Sequence, residues 1–439
     1  MAKDKLTDYD ATASNNTDIG GIDINQGTMI PSNVDNAIRE IMSHLKDFAA
    51  GTQGVTAIGV DTINETTAGS GVTVNGLQAS AINGGQIGGR RSIVNNGAMQ
   101  VAQRGTSETS SATSDYLVDR FRSTNSGGRS LTYSQESDAP DGFANSLKIK
   151  VASTFTTGAT DLLGIGQLIE GQNVQHLKKG TSGALATTLS FHIKSNLTGN
   201  VAVELLDRDS AFRHIVALVN ISSANTWEYK TVTFPGDTSG ALDDDNAASF
   251  DFHIYFGAGS NATSGTLATS WASYVAGNRA AGLSLNSNNF GSSTDNFISI
   301  TGVQLEVGSV ATEFEHHSFG EELELCQRYY KRLGAPRFGT TTFGYITGAS
   351  VTANACQGVI HHHPEMRANP SVEHTGTASD YKIKLQGSNK TCSSVPQFTN
   401  NSRQTTTLWF TASGLLTSGF AAHLMNATTD GFVAFDAEL

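Results

Sequence analysis

Several things are scarce in this chain, and each scarcity excludes something. Charged residues are 15% of 439 positions, and Lys and Arg number 28 against 40 Asp and Glu, which leaves a net charge of −12. Phosphate binding needs clustered cations, so the balance argues against a nucleic-acid partner and against an acidic membrane surface. Proline occurs only 7 times, too few for a proline-rich disordered chain. Cysteine occurs three times, at Cys326, Cys356 and Cys392. An odd, sparse set gives no disulfide framework and suits synthesis in a reducing cytosol. Apolar runs such as Ile215 to Val219 are far too short to cross a bilayer, so no membrane insertion is expected. The opening MAKDKLTDYD has no apolar core, so no secretory signal is expected.

What is abundant is turn chemistry. Gly (46), Ser (45), Thr (49) and Asn (30) make up 170 positions. Ser, Thr and Asn compete with the backbone for hydrogen bonds and Gly is entropically costly in a helix, so this mixture disfavours helices. Thr in short apolar runs with Gly and Asn between them predicts a mainly β protein.

Along the chain, residues 1–33 read as a polar arm with one short extended piece, Asp18 to Ile24. Over 34–51 the apolar residues Val34, Ile38, Ile41, Leu45 and Phe48 recur at steps of 4, 3, 4 and 3, a heptad seam on one stripe of a coiled-coil-like helix. Ser32 with Asp35 forms an approximate capping box, and Gly51 is the expected stop. So short a helix needs a partner, either the rest of its own chain or identical copies around an axis. Residues 52–91 alternate short Val and Ile strands with glycine and cannot build a core alone, so they read as a β shaft or linker.

Residues 92–318 carry the period-two pattern of a two-sheet antiparallel β-sandwich, in Ser146–Val151, Leu189–Ile193, Val201–Leu205, His214–Val219, Lys230–Phe234, Phe250–Phe256 and Phe297–Val303. Ser318 and Glu321 open a connecting helix over 319–334 through Leu323, Cys326, Tyr330 and Leu333. Residues 335–439 read as a smaller β domain.

Three stretches resemble bacteriophage tail-fibre and related virion structural proteins. One is NNTDIGGIDINQGTMIPSNVDNAIREIMSHLKDFAAG with DTINETTAGSGVTVNGLQ, similar to the attachment-and-shaft region of such fibres. The second joins Asn95 to Gly105, Asp119-Arg120-Phe121, Asn225 to Lys230, Ile300 to Gly308 and Glu324 to Tyr330, and is similar to a carbohydrate-binding-module-like jelly roll. The third is Pro364 to Pro370 with the terminal Asp436-Ala437-Glu438-Leu439, similar to a small distal β domain. His361-His362-His363 departs from the resemblance, which leads one to expect apolar residues before Pro364. The resemblance implies an elongated homotrimer made in the bacterial cytoplasm. It would dock on the phage tail through residues 1–51 and present β domains to a host-surface glycan. A virion or capsid appendage without a receptor role, and a polysaccharide depolymerase, are the alternatives.

Enzyme signatures are missing: there is no G-x-S-x-G elbow, H-E-x-x-H pair or glycine-rich phosphate loop. Glu204, Asp207 and Asp209 cluster in sequence, as glycosidase carboxylates do, but read better as the solvated end of a strand. No resident cofactor is expected. The acidic loop with Asp243 and Asp245 is a candidate for a structural Ca²⁺, against a plain solvated loop. His361 and His363 share a strand face and could gather metal around a threefold axis, against ordinary polar strand residues. Sugar recognition needs flat aromatic faces, and the candidates are Trp227, Tyr229, Trp271, Tyr274 and Trp409. Trp227 and Tyr229 share one strand face and are expected in the core; Trp271 and Tyr274, in a looser stretch, are the expected ligand-binding pair.

Overall fold

The computed structural model describes residues 15–19, 22–25, 31–49, 90–209, 212–334, 343–414 and 418–439. The expected shaft, apart from its last residues 90 and 91, and most of the arm lie outside the described residues. The chain divides into two compact units, Met1–Gln78 and Ala79–Leu439.

In the first unit two short antiparallel strands, β1 (Asp18–Ile19) and β2 (Ile22–Asp23), accompany helix α1 (Pro31–Ala49). Proline is tolerated in a first turn because its missing N–H would have had no partner there. The helix therefore takes in Pro31 and Ser32, and the side chains of the expected capping box, Ser32 and Asp35, lie outside the described residues. Asn33 donates from Nδ2 to the Asp23 carbonyl (3.1 Å), and Ile19, Ala37 and His44 are buried. The predicted seam does not point inward: Val34, Ile38 and Leu45 are exposed, with Met42 beside them at 63%, and Ile41 is half-buried. Phe48, the fifth member, has a side chain outside the described residues.

The second unit is mainly β. Its sandwich holds β3 (Ser107–Ser110), β4 (Arg122–Asn125), β5 (Leu131–Glu136), β6 (Ser146–Val151), β7 (Leu162–Glu170), β8 (Thr187–Ser195), β9 (Gly199–Asp207), β10 (Arg213–Ile221), β11 (Glu228–Phe234), β12 (Ala248–Ala258), β13 (Ala272–Ser273) and β14 (Phe297–Val307). A one-turn helix, α2 (Ser260–Thr263), lies between β12 and β13. The first sheet runs β13-β10-β9-β12-β7-β4 and the second β11-β8-β14-β6-β5-β3, with antiparallel pairing throughout. The core lies between them. Val201, Val203 and Leu205 of β9 and Phe250, Phe252, Ile254 and Phe256 of β12 join Leu189, Phe191 and Ile193 of β8 in one buried cluster.

β7 has no alternation to read, because all nine of its residues are buried. A Cβ added at Gly164 would come within 2.6 Å of the Tyr255 ring, and one at Gly166 within 2.1 Å of the Phe252 carbonyl oxygen and 2.6 Å of His253 Nδ1. Glycine is needed at both places so that β12 can lay its outer rings over the strand.

Ser318 and Glu321 close a capping box on α3 (Phe319–Gln327). The helix stops at Gln327, seven residues before the expected end. Tyr330 to Gly334 instead alternate buried and half-buried and form β15 (Tyr330–Gly334). This strand pairs with β24 (Phe432–Asp436), which also pairs with β18 (Ser371–His374). A distant strand supplies this pairing, and no local signal announces it.

The remaining strands form a seven-stranded sheet. They are β16 (Gly344–Ser350), β17 (Ala355–His361), β19 (Tyr381–Leu385), β20 (Ser388–Thr391), β21 (Gln397–Thr399), β22 (Thr405–Thr411) and β23 (Ala421–Asn426), ordered β20-β19-β23-β16-β17-β22-β21. The last residues tie into the sandwich: Glu438 pairs with the buried Arg120, whose guanidinium lies 3.5 Å over the Tyr329 ring. Arg367 donates to the carbonyls of Ala437 (2.6 Å) and Glu438 (2.8 Å).

Candidate functional site

Strand periodicity places one set of side chains on the outer face of the first sheet. Glu204 stands on β9, His214 on β10, and Asp251, His253 and Tyr255 on β12, all in the register opposite to the core residues. Such polar residues would ordinarily face water, yet all five are buried. The segment after β12 covers part of this face: Ala262, Ala268, Ala280 and Leu283 pack on Ala202, Val216 and Tyr255. The same segment brings in Tyr274 and Arg279.

Glu204 is the hub. It accepts from His214 Nδ1 (2.7 Å), the Tyr255 hydroxyl (2.9 Å), and Arg279 Nε (2.9 Å) and Nη2 (2.7 Å). The Val275 amide donates to His214 Nε2 (3.4 Å), so Nδ1 carries the proton that Glu204 accepts. Burial alone would raise the Glu204 pKa, but the His214 hydrogen bond and the Arg279 charge outweigh it and hold the carboxyl below the usual range. The same burial, with Glu204 alongside, lifts the Tyr255 hydroxyl well above its ordinary value.

Asp251 repeats the pattern. Arg208 reaches it through Nε (2.6 Å) and Nη2 (2.5 Å), and His253 Nε2 is 3.2 Å away. Burial pushes its pKa up, and His253 and Arg208 together bring it below the usual range.

Beside these locked pairs a cavity of about 420 Å³ opens, lined by Leu206, Arg208, Phe212, Tyr274 and Arg279. Phe212 (47% exposed) and Tyr274 (37%) meet edge to face at 6.3 Å, and the Tyr274 amide donates to the Phe212 carbonyl (2.6 Å). Phe212 has φ = 50°, a left-handed conformation that a bulky residue rarely adopts and that the contact with Tyr274 holds in place. Two ring faces beside two guanidinium groups paired with buried acids can stack a flat ligand and donate hydrogen bonds to it.

Of the expected ligand-binding pair, only Tyr274 lines this cavity. Trp271 packs against the core near Phe250 (6.2 Å) and donates from Nε1 to the Pro235 carbonyl (2.7 Å). It covers a separate buried network in which Lys179 reaches Asp207 (2.5 Å) and Asp237 (3.1 Å), and Arg213 reaches Asp237 (2.7 Å). Glu204, Asp207 and Asp209 are therefore not a solvated strand end, and they do not converge. Asp207 belongs to the Lys179 network, and Asp209 accepts from the Asp243 amide (2.9 Å).

Trp227 and Tyr229 do share a face, but it is the outer face of the second sheet and not the core. β11 is an edge strand, and Tyr229 is 50% exposed beside His192, at 4.9 Å between rings. Trp227 donates to Asp138 (3.2 Å). Trp409, on β22, is half-buried and donates to Thr399 (3.1 Å).

Among the described residues no three His, Cys, Asp or Glu side chains converge as metal ligands. Asp243 and Asp245 are exposed, and Asp245 Oδ1 accepts from the Ala247 amide (2.9 Å). His361 and His363 are exposed, while His362 takes the apolar position between them, buried against Phe435 at 4.6 Å.

A larger cavity, about 480 Å³, lies along α3 between Arg90, Leu325, Arg328 and Pro364. Most of its charged lining is already engaged: Glu315 accepts from the amides of Arg91 and Ser92, Glu321 caps α3, and Arg328 pairs with Glu170 (2.7 Å).

No protein family and no curated sequence matches the chain. Among solved structures it is similar to the enzymatically active domain of tailspike protein 4 of bacteriophage CBA120, at 13% identity and a TM-score of 0.26, over 49% of this chain and 21% of that one. It is similar to a xylan-binding domain from Paenibacillus barcinonensis, at 9% identity and a TM-score of 0.25, over 53% of this chain and all of that one. It is also similar to a family 11 carbohydrate-binding module from a Clostridium thermocellum cellulase, at 15% identity and a TM-score of 0.24, over 48% of this chain and 98% of that one.

Proposed function

We propose that this chain is a tail-fibre protein of a bacteriophage, in which α1 joins three copies and the sandwich holds a glycan of the host surface. The observation that carries the glycan reading is the cavity on the first sheet. Sugars bind where an apolar ring face meets polar groups already fixed in direction, because little ordering then remains for the binding step. Tyr274 and Phe212 supply the ring faces, and Arg208 and Arg279, held by buried carboxylates, supply the fixed donors.

The reading is one of binding without cleavage. Glycoside hydrolysis needs one carboxyl group protonated near neutral pH. Glu204 and Asp251 are both arginine-paired with lowered pKa values, which supports ionised, structural roles. The exposed apolar stripe of Val34, Ile38 and Leu45 supports self-association in the first unit. Three buried free thiols suit assembly in the reducing cytoplasm of a host cell, ahead of a place on the virion.

Calorimetric titration of the full chain with surface polysaccharide from candidate bacteria is the direct test. Saturable binding that Tyr274→Ala weakens is the expected result. Release of new reducing ends would replace this reading with an enzymatic one. Absence of binding to every polysaccharide and to whole cells would favour an appendage without a receptor role.

A further inference from the structure

We infer that the cavity between Tyr274 and Phe212 takes a carboxylate-bearing sugar, that is, a uronic-acid unit of an acidic polysaccharide. This deepens the glycan reading above and rests on it. The argument turns on which hydrogen-bonding groups face the space. Of the five lining side chains, Leu206 and Phe212 have no polar atoms. Arg208 and Arg279 can only donate. The acids that would accept, Glu204 and Asp251, are both 0% exposed, and neither lines the cavity. Among the described lining residues Tyr274 contributes the one side-chain oxygen.

Each arginine spends Nε and Nη2 on its carboxylate, and among the described residues neither Nη1 meets an acceptor. Among the described residues, the side chains of the wall are therefore rich in donors and poor in acceptors. A neutral sugar offers hydroxyl groups, each with a proton that must also find an acceptor, and a buried hydroxyl proton without one opposes binding. A carboxylate only accepts, lies flat, and matches the planar edge of a guanidinium. The buried acids hold both guanidinium groups in fixed directions, so the ligand need not order them. The rings of Tyr274 and Phe212 then face the apolar C–H surface of the sugar.

The test compares three probes on the unmodified full chain: a galacturonic-acid oligosaccharide, the same oligosaccharide with its carboxyl groups reduced to alcohols, and a sulfated neutral oligosaccharide. The uronate should bind about tenfold or more tightly than its reduced form, as expected for charge-assisted hydrogen bonds. The double variant Arg208→Gln with Asp251→Asn, which removes one guanidinium without leaving a buried charge alone, should erase most of that preference, with thermal melting checking its fold. Because the three-probe comparison needs no variant, it decides the matter even if the double variant unfolds. Equal binding of the uronate and its reduced form overturns the inference and leaves the glycan reading standing. Sulfated and uronate probes of equal affinity also overturn it, in favour of a general anion site. Failure of all three probes, and of polysaccharides from candidate bacteria, overturns the glycan reading itself.

Discussion

Two regions of this protein invert the usual partition of residues, in opposite directions. On α1 apolar side chains face water: Val34, Ile38, Met42 and Leu45 are each more than two-fifths exposed. On the outer face of the first sheet charged side chains are withdrawn from it, with Glu204 and Asp251 at zero exposure. Neither arrangement is favourable by itself, since exposed apolar area and buried charge both cost free energy. The sheet resolves its own inversion, because each buried acid has an arginine and a histidine in the same chain. Among the described residues the helix does not: Ala37 and His44 are buried, while the stripe stays exposed. The contrast teaches that a self-contained inversion fixes its own side chains, whereas an open one leaves apolar area in water.

The strongest way to break the contrast is to open the closed case. Arg279→Ala leaves Glu204 buried without its guanidinium partner and should lower stability by about 3 kcal/mol, read by chemical denaturation. Replacing both partners, as in Arg279→Met with Glu204→Leu, should recover most of that loss; no recovery would mean the pair is not what holds this face together.

Next comes the open case. If copies of α1 cover one another, Ile38→Asp with Leu45→Asp removes apolar burial of about 2 kcal/mol per side chain. Light scattering should then report single chains where the unmodified protein gives three. A wild-type monomer would show that the stripe serves something else.

A smaller effect is expected at the cavity. Tyr274→Ala removes one ring face and should weaken glycan binding by about 1 kcal/mol, with melting temperature nearly unchanged. A large fall in melting temperature would make Tyr274 a packing residue.

The smallest effect concerns pH, and it sharpens the comparison by separating two kinds of buried group. Burial, with Lys331 and His361 nearby, pushes the His362 pKa from 6.5 down to about 4. The unfolded chain therefore binds the extra proton first. Stability falls as pH drops from 6.5 toward about 4, then levels, and solvent screening limits the loss to about 1 kcal/mol. Glu204 and Asp251 have the opposite chemistry, because their folded values lie below their unfolded ones. Their contribution is intact above the ordinary carboxylate range and is lost only as pH falls through it. His362→Leu should flatten the denaturation midpoint between pH 6.5 and 4.5 and leave the steeper acid limb in place. An unchanged upper slope would assign it to another group.

The site was only partly legible in sequence. Tyr274 was found because it sits in a loose segment rich in small residues, where an aromatic ring has few core roles. Arg208 and Arg279 carried no signal, since an isolated arginine looks the same whether it is solvated or locked on a buried acid. Asp251 and His253 were hidden by their own strand: alternation with Phe250 and Phe252 predicts an outer face but not that Tyr274, Arg279 and their neighbours cover it. Trp227 and Tyr229 show the limit of the same rule. Period two assigned them correctly to one face, yet which face is the core depends on pairing with β8, which sets Tyr229 opposite the outward His192 and not the buried Phe191.

By itself, then, the amino-acid order determined what short-range physics can determine. It set strands from alternation, the α3 cap from Ser318 and Glu321, and the stripe on α1 from heptad spacing, because each depends on neighbours within a few residues. Only the tertiary structure decided the rest. β15 replaced the second half of a predicted helix because β24, a hundred residues away, offered it a hydrogen-bonding partner. Four ionisable groups became a rigid wall because pairing across β9, β12 and a returning loop brought opposite charges together away from water, where their attraction is least screened.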